Sequence, residues 1–236
     1  MLLYKDFNVI MLINTLLIFS AYLLGSLSAA ILVCKILGLS DPRAGGSGNP
    51  GTTNVMRLHG KKAALLTLTG DIIKGIIPVL IAKVIVSSEF IIALSGLAAF
   101  LGHIFPIYFK FKGGKGVATL IGVLFATHWL FGAIYVAIWL LTAAIFRYSS
   151  LAALIATFSI PVYAYFLEQN LQYAISFSII TVILFWRHKS NIYKLFSHKF
   201  KMDLLMKIVY NNLVHYQISI HPASVQPHDL EIELVN

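Results

Sequence analysis

The chain has 236 residues, of which 58% are hydrophobic and 11% charged, and its formal net charge is +9. A soluble domain carries about 25% charged residues, so the composition excludes a soluble globular protein and predicts an integral membrane protein. The basic residues lie in short segments between apolar runs, which argues against nucleic-acid binding and favours membrane topology and anionic partners, either lipid headgroups or phosphorylated substrates. The single cysteine, Cys34, excludes a disulfide framework and is predicted to be a packing residue.

The first apolar run, residues 8–34, is predicted to be an uncleaved membrane anchor whose N-terminus lies outside. It has some features of a signal peptide, but it continues apolar through Leu39, and its positive charges, Lys35 and Arg43, follow it. Small residues of the kind that lets membrane helices pack closely lie near its end: Gly25, Ser26, Ser28 and Ala29.

A polar segment follows at residues 41–62, with the sequence DPRAGGSGNPGTTNVMRLHGKK. Glycine reaches backbone angles that other residues avoid, so successive N–H groups of this segment can turn inward around an anion. Short side-chain donors surround the glycines, and Arg57 adds a planar guanidinium suited to phosphate or carboxylate. The alternative is an ordinary connector, because glycine, asparagine, proline and serine are common turn residues and basic residues beside a membrane often only set its topology.

The next apolar run, Ala63 to Val86, contains two opposite charges. Asp71 and Lys74 are three residues apart, so they share a helix face and are predicted to pair. Two interpretations of this pair stay open. The charges could face a bundle interior or a polar cavity, or they could form a structural ion pair near the interface with Lys74 reaching toward water.

A third apolar run, residues 90–109, leads into a second polar segment, residues 102–116. Three lysines and three glycines fall within its last seven residues, which again favours phosphate binding. The pattern is not a Walker A loop, because Phe109 stands where glycine is required and Gly116 where serine or threonine is required. A GxGxxG match in the first polar segment is rejected, since no βαβ unit surrounds it.

Residues 117–146 form a charge-free apolar run that would be about 45 Å long as one helix, too long for one untilted span. Both polar segments and the basic stretch 187–194 are predicted to be cytoplasmic, so an even number of crossings must separate them. Dividing the run near Thr127–Trp129 meets this condition, together with the runs 148–167 and 171–186. The prediction is an all-α, polytopic membrane helical bundle of about seven transmembrane helices, with the N-terminus outside and the C-terminus cytoplasmic.

The chain is predicted to divide into an integral membrane domain, residues 1–195, and a C-terminal cytoplasmic tail, residues 196–236. Within the tail, Lys199–Tyr210 is predicted to be a short interfacial helix. His198 and Asp203 match the His-x4-Asp pattern of a different class of acyltransferase, but no catalytic domain follows them, so that interpretation is rejected.

Four stretches carry a family resemblance: GSGNPGTTNVMR, GDIIKG, GHIFPIYFKFKGGKGVAT and RHKSNI. Together they resemble the bacterial acyl-phosphate:glycerol-3-phosphate acyltransferase family, over roughly residues 10–195. Two positions depart from the family pattern. Thr52 stands where alanine is usual, and Ser190 stands where many members have glutamate.

The resemblance implies transfer of a fatty acyl group from acyl phosphate to the sn-1 hydroxyl of glycerol 3-phosphate. The products would be 1-acyl-glycerol 3-phosphate and inorganic phosphate, in phospholipid synthesis. It implies a multi-pass protein of the bacterial inner membrane with a cytoplasmic active site, no cofactor and no metal. The expected partners are the two substrates, membrane lipids and, as a candidate, the phosphate acyltransferase that makes acyl phosphate; no nucleic acid is expected.

The motifs and the resemblance together give the expected site. The expected catalytic residues are Ser47, Arg57, Lys115, His188 and Asn191. The expected substrate- and phosphate-binding residues are Gly46, Gly48, Asn49, Thr53, Asn54, Lys112, Gly113, Gly114 and Gly116.

The implied chemistry requires no covalent nucleophile, because acyl phosphate is a mixed anhydride with a good leaving group. The protein must hold two dianions close together and orient the hydroxyl, and Arg57 and Lys115 are candidates for that clamp. The hydroxyl proton could pass to the leaving phosphate or to His188. The phosphate is favoured because the sequence offers no carboxylate to orient His188. His59 and His103 are predicted to be structural.

Two other functions fit parts of the pattern: a transporter for a phosphorylated anion and a non-catalytic lipid-binding partner. A transporter is disfavoured because the chain has no internal repeat, its apolar runs contain few ionisable groups and its polar segments lie on one side. A lipid-binding partner would leave Arg57 and the two glycine-rich segments unexplained.

Overall fold

The computed structural model describes residues 2–196, and the regular structure in this part of the chain is helical. Nine α-helices and a 3-10 turn follow one another there: α1 (Leu2–Gly25), α2 (Ala29–Ile36), α3 (Thr52–Ile85), α4 (Glu89–Ile104), the turn (Ile107–Phe109), α5 (Val117–Thr127), α6 (Trp129–Phe146), α7 (Ser149–Glu168), α8 (Leu171–Arg187) and α9 (Lys189–Phe196). The all-α prediction is confirmed for these residues. The predicted helix Lys199–Tyr210, and the pair His198 and Asp203, lie outside them.

The chain divides into two units, residues 1–188 and residues 189–236. The first unit holds α1 to α8, and the described part of the second unit is α9. The predicted boundary between a membrane domain and a tail after residue 195 stays a prediction.

The helices have the lengths and compositions of a polytopic membrane protein. Five segments of the described chain are long and apolar enough to cross a membrane: Phe7–Gly25, Thr52–Ile85, Glu89–Phe109, Trp129–Phe146 and Ser149–Glu168. α5 and α8 are also apolar but shorter, with 11 and 17 residues. At 1.5 Å per residue α5 is about 16 Å long, roughly half the thickness of the hydrocarbon core.

The first apolar run forms two helices. α1 ends at Gly25 and α2 starts at Ala29, and Ser28 between them has an extended backbone. The N–H and the hydroxyl of Ser26 both donate to the carbonyl of Tyr22, which satisfies polar groups at the end of α1. The small residues near the end of this run therefore form a break between two helices, and the prediction of an uncleaved anchor stays a prediction.

The predicted close packing by small residues is confirmed. A Cβ on Gly25 would overlap the backbone of Ala99 in α4, and a Cβ on Gly102 would overlap the backbone of α1. α3 and α5 meet in the same way at Gly75 and Gly122. Lipid is as apolar as the side chains, so close van der Waals contact between helices is a main source of their association in a membrane.

α3 starts inside the first polar segment. It runs from Thr52 to Ile85, so the predicted loop at residues 41–62 is a loop only as far as Gly51. The correction has a physical reason: Val55, on the first turn, is fully buried and joins an apolar cluster with α2. The helix is interrupted at Gly60, where φ is 81° and ψ is −175°.

The predicted pair of charges in α3 is confirmed. The Nζ of Lys74 lies 2.8 Å from the Oδ1 of Asp71, and both side chains are buried. Lys74 also donates a hydrogen bond to the carbonyl of Leu27 at 2.6 Å. The pair therefore faces the interior of the helix bundle, and Lys74 does not extend toward water.

The long apolar run 117–146 is divided near Thr127–Trp129, where an even number of membrane crossings requires the division. α5 and α6 meet at His128, whose backbone is extended and whose Nδ1 accepts a hydrogen bond from the N–H of Leu130. Four helices then lead back to Arg187, whose Nη2 donates to the carbonyl of Gly113 at 2.7 Å. The second polar segment and Arg187, the first residue of the last basic stretch, therefore lie at the same end of the helices.

The opposite end of the helices carries a second set of polar residues. Lys83, near the end of α3, donates to the carbonyl of Thr127. The Nε2 of His128 lies 3.3 Å from the Oε1 of Glu168. Trp129 is 66% exposed beside them, as an aromatic ring at a membrane interface would be.

Replacing Gly102 with alanine should destabilise the folded protein, because the new Cβ would overlap the backbone of α1. Overpacking of this kind costs about 1–3 kcal/mol, or roughly 2–12 °C in apparent unfolding temperature for a chain of this size. The measurement is thermal unfolding of the purified protein in detergent. Ser178→Ala, on an exposed face of α8, is the control and should leave the temperature unchanged. An unchanged temperature for Gly102→Ala would contradict the contact between α1 and α4.

Candidate active site

The first loop, residues 37–51 between α2 and α3, is organised by one asparagine. Asn54, on the first turn of α3, is 2% exposed. Its Nδ2 donates to the carbonyls of Pro42 at 2.7 Å and Gly45 at 3.2 Å, and its Oδ1 accepts the backbone N–H of Ser47 at 2.9 Å. Both amide hydrogens are thus used within the loop, which gives Asn54 a supporting part. A direct contact between Asn54 and phosphate stays a prediction.

Two turns of the first loop need glycine for its backbone angles. Gly46 has a φ of 59° and Gly48 a φ of 67°, in the left-handed region that glycine adopts readily. A Cβ on Gly46 would also overlap the Oδ1 of Asn54. Ser47, between the two turns, has an exposed side chain. The loop therefore presents a serine hydroxyl on a backbone shape that glycine makes possible.

The other candidates of the first motif lie in the loop and on the first turns of α3. Asn49 is half-buried in the loop, whereas Thr53 and Arg57 are exposed on α3. The first N–H groups of an α-helix have no partner within the helix, and its N-terminus carries a partial positive charge. An anion near Thr53 would therefore be stabilised by the helix as well as by the guanidinium of Arg57.

The first loop contacts the second polar segment through an arginine. The carboxylate of Asp41 accepts hydrogen bonds from Arg43 at 3.0 Å and 2.6 Å, and this contact lowers the pKa of Asp41. The guanidinium of Arg43 lies 5.9 Å from the centre of the Phe109 ring, a cation–π distance. Arg43 therefore serves as a tether between the two polar segments.

The glycine-rich loop, residues 110–116, packs closely against α4. The N–H of Gly114 donates to the carbonyl of His103 at 3.2 Å. A Cβ on Gly113 would overlap that carbonyl, and a Cβ on Gly114 would overlap the His103 ring. Gly116, at φ 90°, needs glycine for its backbone angle as well. Glycine is thus required in this loop for space at two positions and for backbone angle at a third.

Two residues before these glycines hold an uncommon backbone conformation. Lys110 and Phe111 are left-handed, with φ of 54° and 58°. This conformation costs non-glycine residues about 1–3 kcal/mol each and persists where the surroundings enforce it, often at functional sites. Here the N–H of Phe111 donates to the carbonyl of Pro106 at 2.9 Å, and the N–H of Lys112 to that of Phe109 at 3.1 Å. Backbone hydrogen bonds therefore hold the loop in this shape.

Arg187 supports the same loop from the end of α8. Its Nε donates to the carbonyl of Gly114 at 3.1 Å, and its Nη2 to the carbonyl of Gly113 at 2.7 Å. The sequence indicates Arg187 as one of the basic residues around a possible pocket, directly before His188 in the last motif. Only the fold shows that its guanidinium binds two backbone carbonyls.

His188 is buried beside this loop, with 3% of its surface exposed. Its Nδ1–H donates to the carbonyl of Leu184 at 2.9 Å, which leaves Nε2 as an acceptor. Burial is the main cause that lowers the pKa of His188 to about 4; the Leu184 contact opposes it, and the positive charges of Lys115 and Arg187 contribute to the lowering. His188 is therefore neutral at pH 7, and Lys115 lies within its electrostatic range.

The remaining candidates differ in their placement. Lys112 is exposed and Lys115 is half-buried in the glycine-rich loop. Asn191 lies on α9, in the second unit of the chain, and stays a predicted site residue. Contacts thus join the first loop, the glycine-rich loop and the end of α8 at one end of the helices.

An apolar groove of about 300 Å³ adjoins the start of α3. It is lined by Thr52, Met56, Lys61, Ala64, Leu65 and Leu68. The groove begins next to the first loop and continues past the interruption of α3 at Gly60. An apolar chain could lie in it with a polar end at the loop.

A family model described as glycerol-3-phosphate acyltransferase matches residues 15–198. The chain belongs to this family. A glycerol-3-phosphate acyltransferase of Francisella tularensis subsp. mediasiatica is 54% identical over 185 residues, which cover 78% of this chain and 90% of the relative. One of Francisella philomiragia subsp. philomiragia is 55% identical over 177 residues, which cover 75% and 86%.

Two solved structures of PlsY, an integral membrane glycerol 3-phosphate acyltransferase, resemble this chain. Its glycerol 3-phosphate form is 38% identical with a TM-score of 0.73, and its lysophosphatidic acid form is 37% identical with a TM-score of 0.72. Each comparison covers 77% of this chain and 91% of PlsY. The family resemblance expected from the motifs is therefore confirmed. This glycerol-3-phosphate acyltransferase has the integral membrane fold of its family.

Replacing Asn54 with aspartate or alanine should lower turnover at least tenfold in this glycerol-3-phosphate acyltransferase. Aspartate keeps the shape, but it directs a carboxylate at the carbonyls of Pro42 and Gly45, so it should be no better tolerated than alanine. The measurement is acyl transfer at saturating and limiting glycerol 3-phosphate. Asn170→Ala is the matched control, because Asn170 also bonds to backbone, at the opposite end of the helices. It should change stability and leave turnover unchanged; full activity of Asn54→Asp would contradict the assignment.

Proposed function

We propose that this glycerol-3-phosphate acyltransferase takes its acyl group from an acyl phosphate. The acceptor is the sn-1 hydroxyl of glycerol 3-phosphate, and the products are 1-acyl-glycerol 3-phosphate (lysophosphatidate) and inorganic phosphate. One observation carries the proposal: the first loop, the glycine-rich loop and Arg187 bring cations and backbone donors to one end of the helices. The PlsY structures were obtained in glycerol 3-phosphate and lysophosphatidic acid forms, which supports the same acceptor and product here.

Two phosphate groups need two sets of donors. In this proposal the glycine-rich loop holds one phosphate through Lys112, Lys115 and its backbone, and the first motif holds the other through Ser47 and Arg57. Asn191 supplies a further donor. The other proposed contacts are Gly46, Gly48, Asn49, Thr53, Gly113 and Gly116. Gly114, whose N–H binds the carbonyl of His103, supports the loop in this proposal. Bringing two dianions together costs much electrostatic energy in water, so these fixed cations are where the catalytic advantage arises.

The reaction is one acyl transfer. The sn-1 oxygen of glycerol 3-phosphate forms a bond to the carbonyl carbon of the acyl phosphate, and the bond from that carbon to the bridging phosphate oxygen breaks. The electron pair of the broken bond stays with phosphate. Lys115 and Arg57 stabilise the negative charge on the carbonyl oxygen and the leaving phosphate as it develops. No acyl-enzyme intermediate is required.

The hydroxyl proton passes to the departing phosphate. Phosphate monoesters have a second pKa of about 6, and the departing phosphate, which keeps the electron pair of the broken bond, is at least as basic. The pKa of His188 is lowered to about 4, chiefly by burial, so the imidazole is the weaker base. A backbone carbonyl, not a carboxylate, orients the ring. His188 therefore acts in this proposal as a neutral hydrogen-bond acceptor that orients a substrate hydroxyl through Nε2 in the bound complex, and it does not take up the proton in the reaction.

The acyl chain of the donor is proposed to enter from the membrane. The apolar groove beside Thr52 and Met56 gives it a place next to the first loop. The short α5 starts directly after the glycine-rich loop, so this loop would lie below the membrane surface if the other end of α5 reached the opposite face. A donor held by its phosphate could then keep its chain in apolar surroundings.

The arrangement in the cell follows from the distribution of charge. We place the loops with their lysines and arginines on the cytoplasmic side of a bacterial inner membrane, with seven crossings, the N-terminus outside and the C-terminus inside. Residues 1–195 form the membrane domain in this proposal, and residues 196–236 a cytoplasmic tail. A phosphate acyltransferase that produces acyl phosphate is the proposed supplier of the donor.

The purified protein should release inorganic phosphate and form lysophosphatidate together from palmitoyl phosphate and glycerol 3-phosphate. Palmitoyl-CoA should be inert as a donor, because it has no acyl phosphate group for the cationic site to hold. Both products are measured in one reaction mixture. Phosphate release without lysophosphatidate would indicate a hydrolase. Absence of turnover from folded protein would contradict the proposal and favour transport of a phosphorylated anion.

Ser47→Ala and Arg57→Ala should each lower this activity at least a hundredfold without loss of folded protein, because both side chains are exposed in the structure. Removal of a donor to the transition state typically costs about 10²–10³ in rate. Ser40→Ala, an exposed serine in the same loop, and Lys62→Ala, an exposed cation of α3, are the matched controls. Normal activity of Ser47→Ala and Arg57→Ala would remove both residues from the site.

The activity of His188→Gln should have the same acid limb between pH 5 and pH 7 as the wild type. The folded-state pKa of His188 is about 4, below its ordinary value, so the limb belongs to the substrate phosphate. The measurement is kcat/KM against pH for both proteins. A limb that disappears in His188→Gln would show that His188 is the base.

The same pKa shift should make the wild type lose stability as the pH falls from about 6.5 toward 4, since only the unfolded state takes up that proton.

A further inference from the structure

A buried charged cluster lies against the glycine-rich loop and has no part in the mechanism described so far. It consists of Asp71 and Lys74 on α3 and His103 on α4, and all three side chains are nearly inaccessible. The Nδ1 of His103 lies 3.6 Å from the Oδ1 of Asp71, and the Nζ of Lys74 lies 2.8 Å from the same oxygen. Ionisable groups within membrane helices are expensive and usually serve a function.

The ion pair explains two of these residues but not the third. Asp71 and Lys74 compensate each other, and Lys74 also binds the carbonyl of Leu27, which ties α3 to the end of α1. His103 is not needed for that compensation. Its ring lies between Asp71 and the glycine-rich loop, and this position requires another reason.

The opposite side of the His103 ring forms the floor of the glycine-rich loop. The three atoms nearest to a Cβ on Gly114 all belong to this ring: Nε2, Cε1 and Cδ2. The carbonyl of His103 accepts the N–H of Gly114 and lies against Gly113. From the other side, Arg187 binds the carbonyls of the same two glycines. The loop is therefore held between the His103 ring and the Arg187 guanidinium.

We propose that His103 is a positioning residue for the glycine-rich loop. Its ring is oriented by Asp71, which the contact with Lys74 holds in place, and the ring in turn sets the position of Gly114 and so the direction of Lys115. The inference rests on the proposed function, in which this loop holds a substrate phosphate. A small misplacement of a binding group is costly, because catalysis depends on the distance between the reacting groups. His103 touches the loop and not the substrate.

The sharpest test is a pair of compensating substitutions. Gly114→Ala should push the loop off the ring, and His103→Ala should leave a gap beneath it. Each should raise the KM of one phosphate-bearing substrate at least tenfold and change kcat less. In the double variant the new methyl group occupies part of the vacated space. Its KM should therefore fall below that of either single variant, toward the wild-type value, whereas independent effects would raise it about a hundredfold above the wild type.

The matched control keeps the ring and removes another buried polar group of the same helix. Ser95, fully buried on α4, donates to the carbonyl of Ile91 and does not touch the loop. Ser95→Ala combined with Gly114→Ala should show no recovery of KM. Recovery in this control would mean that general loosening of α4, and not the His103 ring, relieves the substitution.

Three outcomes would overturn the proposal. The effects of Gly114→Ala and His103→Ala could multiply in the double variant. The single variants could lower only the unfolding temperature and leave KM unchanged, which would make His103 purely structural. His103→Ala could abolish kcat with KM unchanged and no recovery by Gly114→Ala, which would make it a chemical group of the reaction.

The proposed function is tested separately by the wild type in the same assay. If the wild type did not turn over palmitoyl phosphate, the proposed function would fail. Substrate binding by the glycine-rich loop would then be measured as the rise in unfolding temperature on adding glycerol 3-phosphate. The same order is expected there: the wild type shows the largest rise, the single variants the smallest, and the double variant an intermediate one. Equal rises in all four proteins would overturn the positioning role.

The orienting part of the cluster has its own variant. Asp71→Asn should raise the KM of the same substrate whose KM is raised by His103→Ala. Combining the two substitutions should add little to this increase, because both act through one ring. Asp71→Asn leaves Lys74 buried without its counterion, so loss of folded protein is a possible result. In that case Asp71→Asn with Lys74→Met, which removes both charges, replaces it. A normal KM in that variant would show that the ring needs no orientation by Asp71.

Discussion

The structure depends on the need to satisfy every backbone polar group at membrane depth. Helices do this by themselves, whereas irregular backbone must find partners among side chains or other parts of the protein. The two loops of the proposed site are such irregular segments. The amide of Asn54 binds the first loop, and Arg187 and the carbonyl of His103 bind the glycine-rich loop. A polar site can therefore persist here because the surrounding helices supply its hydrogen bonds.

The glycines of the two loops serve different physical needs. Gly46 and Gly48 turn the first loop through backbone angles that side chains disfavour, whereas Gly113 and Gly114 let the second loop lie directly on α4. The same requirement for space recurs between helices, at Gly25 for example. The proposed phosphate loop is thus an extension of the close packing that holds the bundle together. A side chain at these positions would move the loop and the helices alike.

The electrostatics of the site favour anions and neutral imidazole. Burial disfavours the protonated form of His188 and so lowers its pKa, and the positive charges of Lys115 and Arg187 add to this effect. An arriving phosphate meets cations that the protein already holds in place, so little reorganisation is needed when it binds. The carboxylate of Asp41 is matched to Arg43, and that of Asp71 to Lys74. These acidic groups therefore support the fold without opposing a phosphorylated substrate.

Features that depend on local composition and spacing can be inferred from the amino-acid sequence. The membrane class follows from the apolar runs, and the pairing of Asp71 with Lys74 follows from their separation along one helix. The division at His128 follows from the length of its apolar run and from the even number of crossings that basic segments on one side require. Contacts between distant segments were decided only by the tertiary structure. The burial of Val55 against α2 starts α3 early, and the role of Arg187 depends on carbonyls 73 and 74 residues away. No local pattern specifies such contacts, because they form only when separate helices pack together.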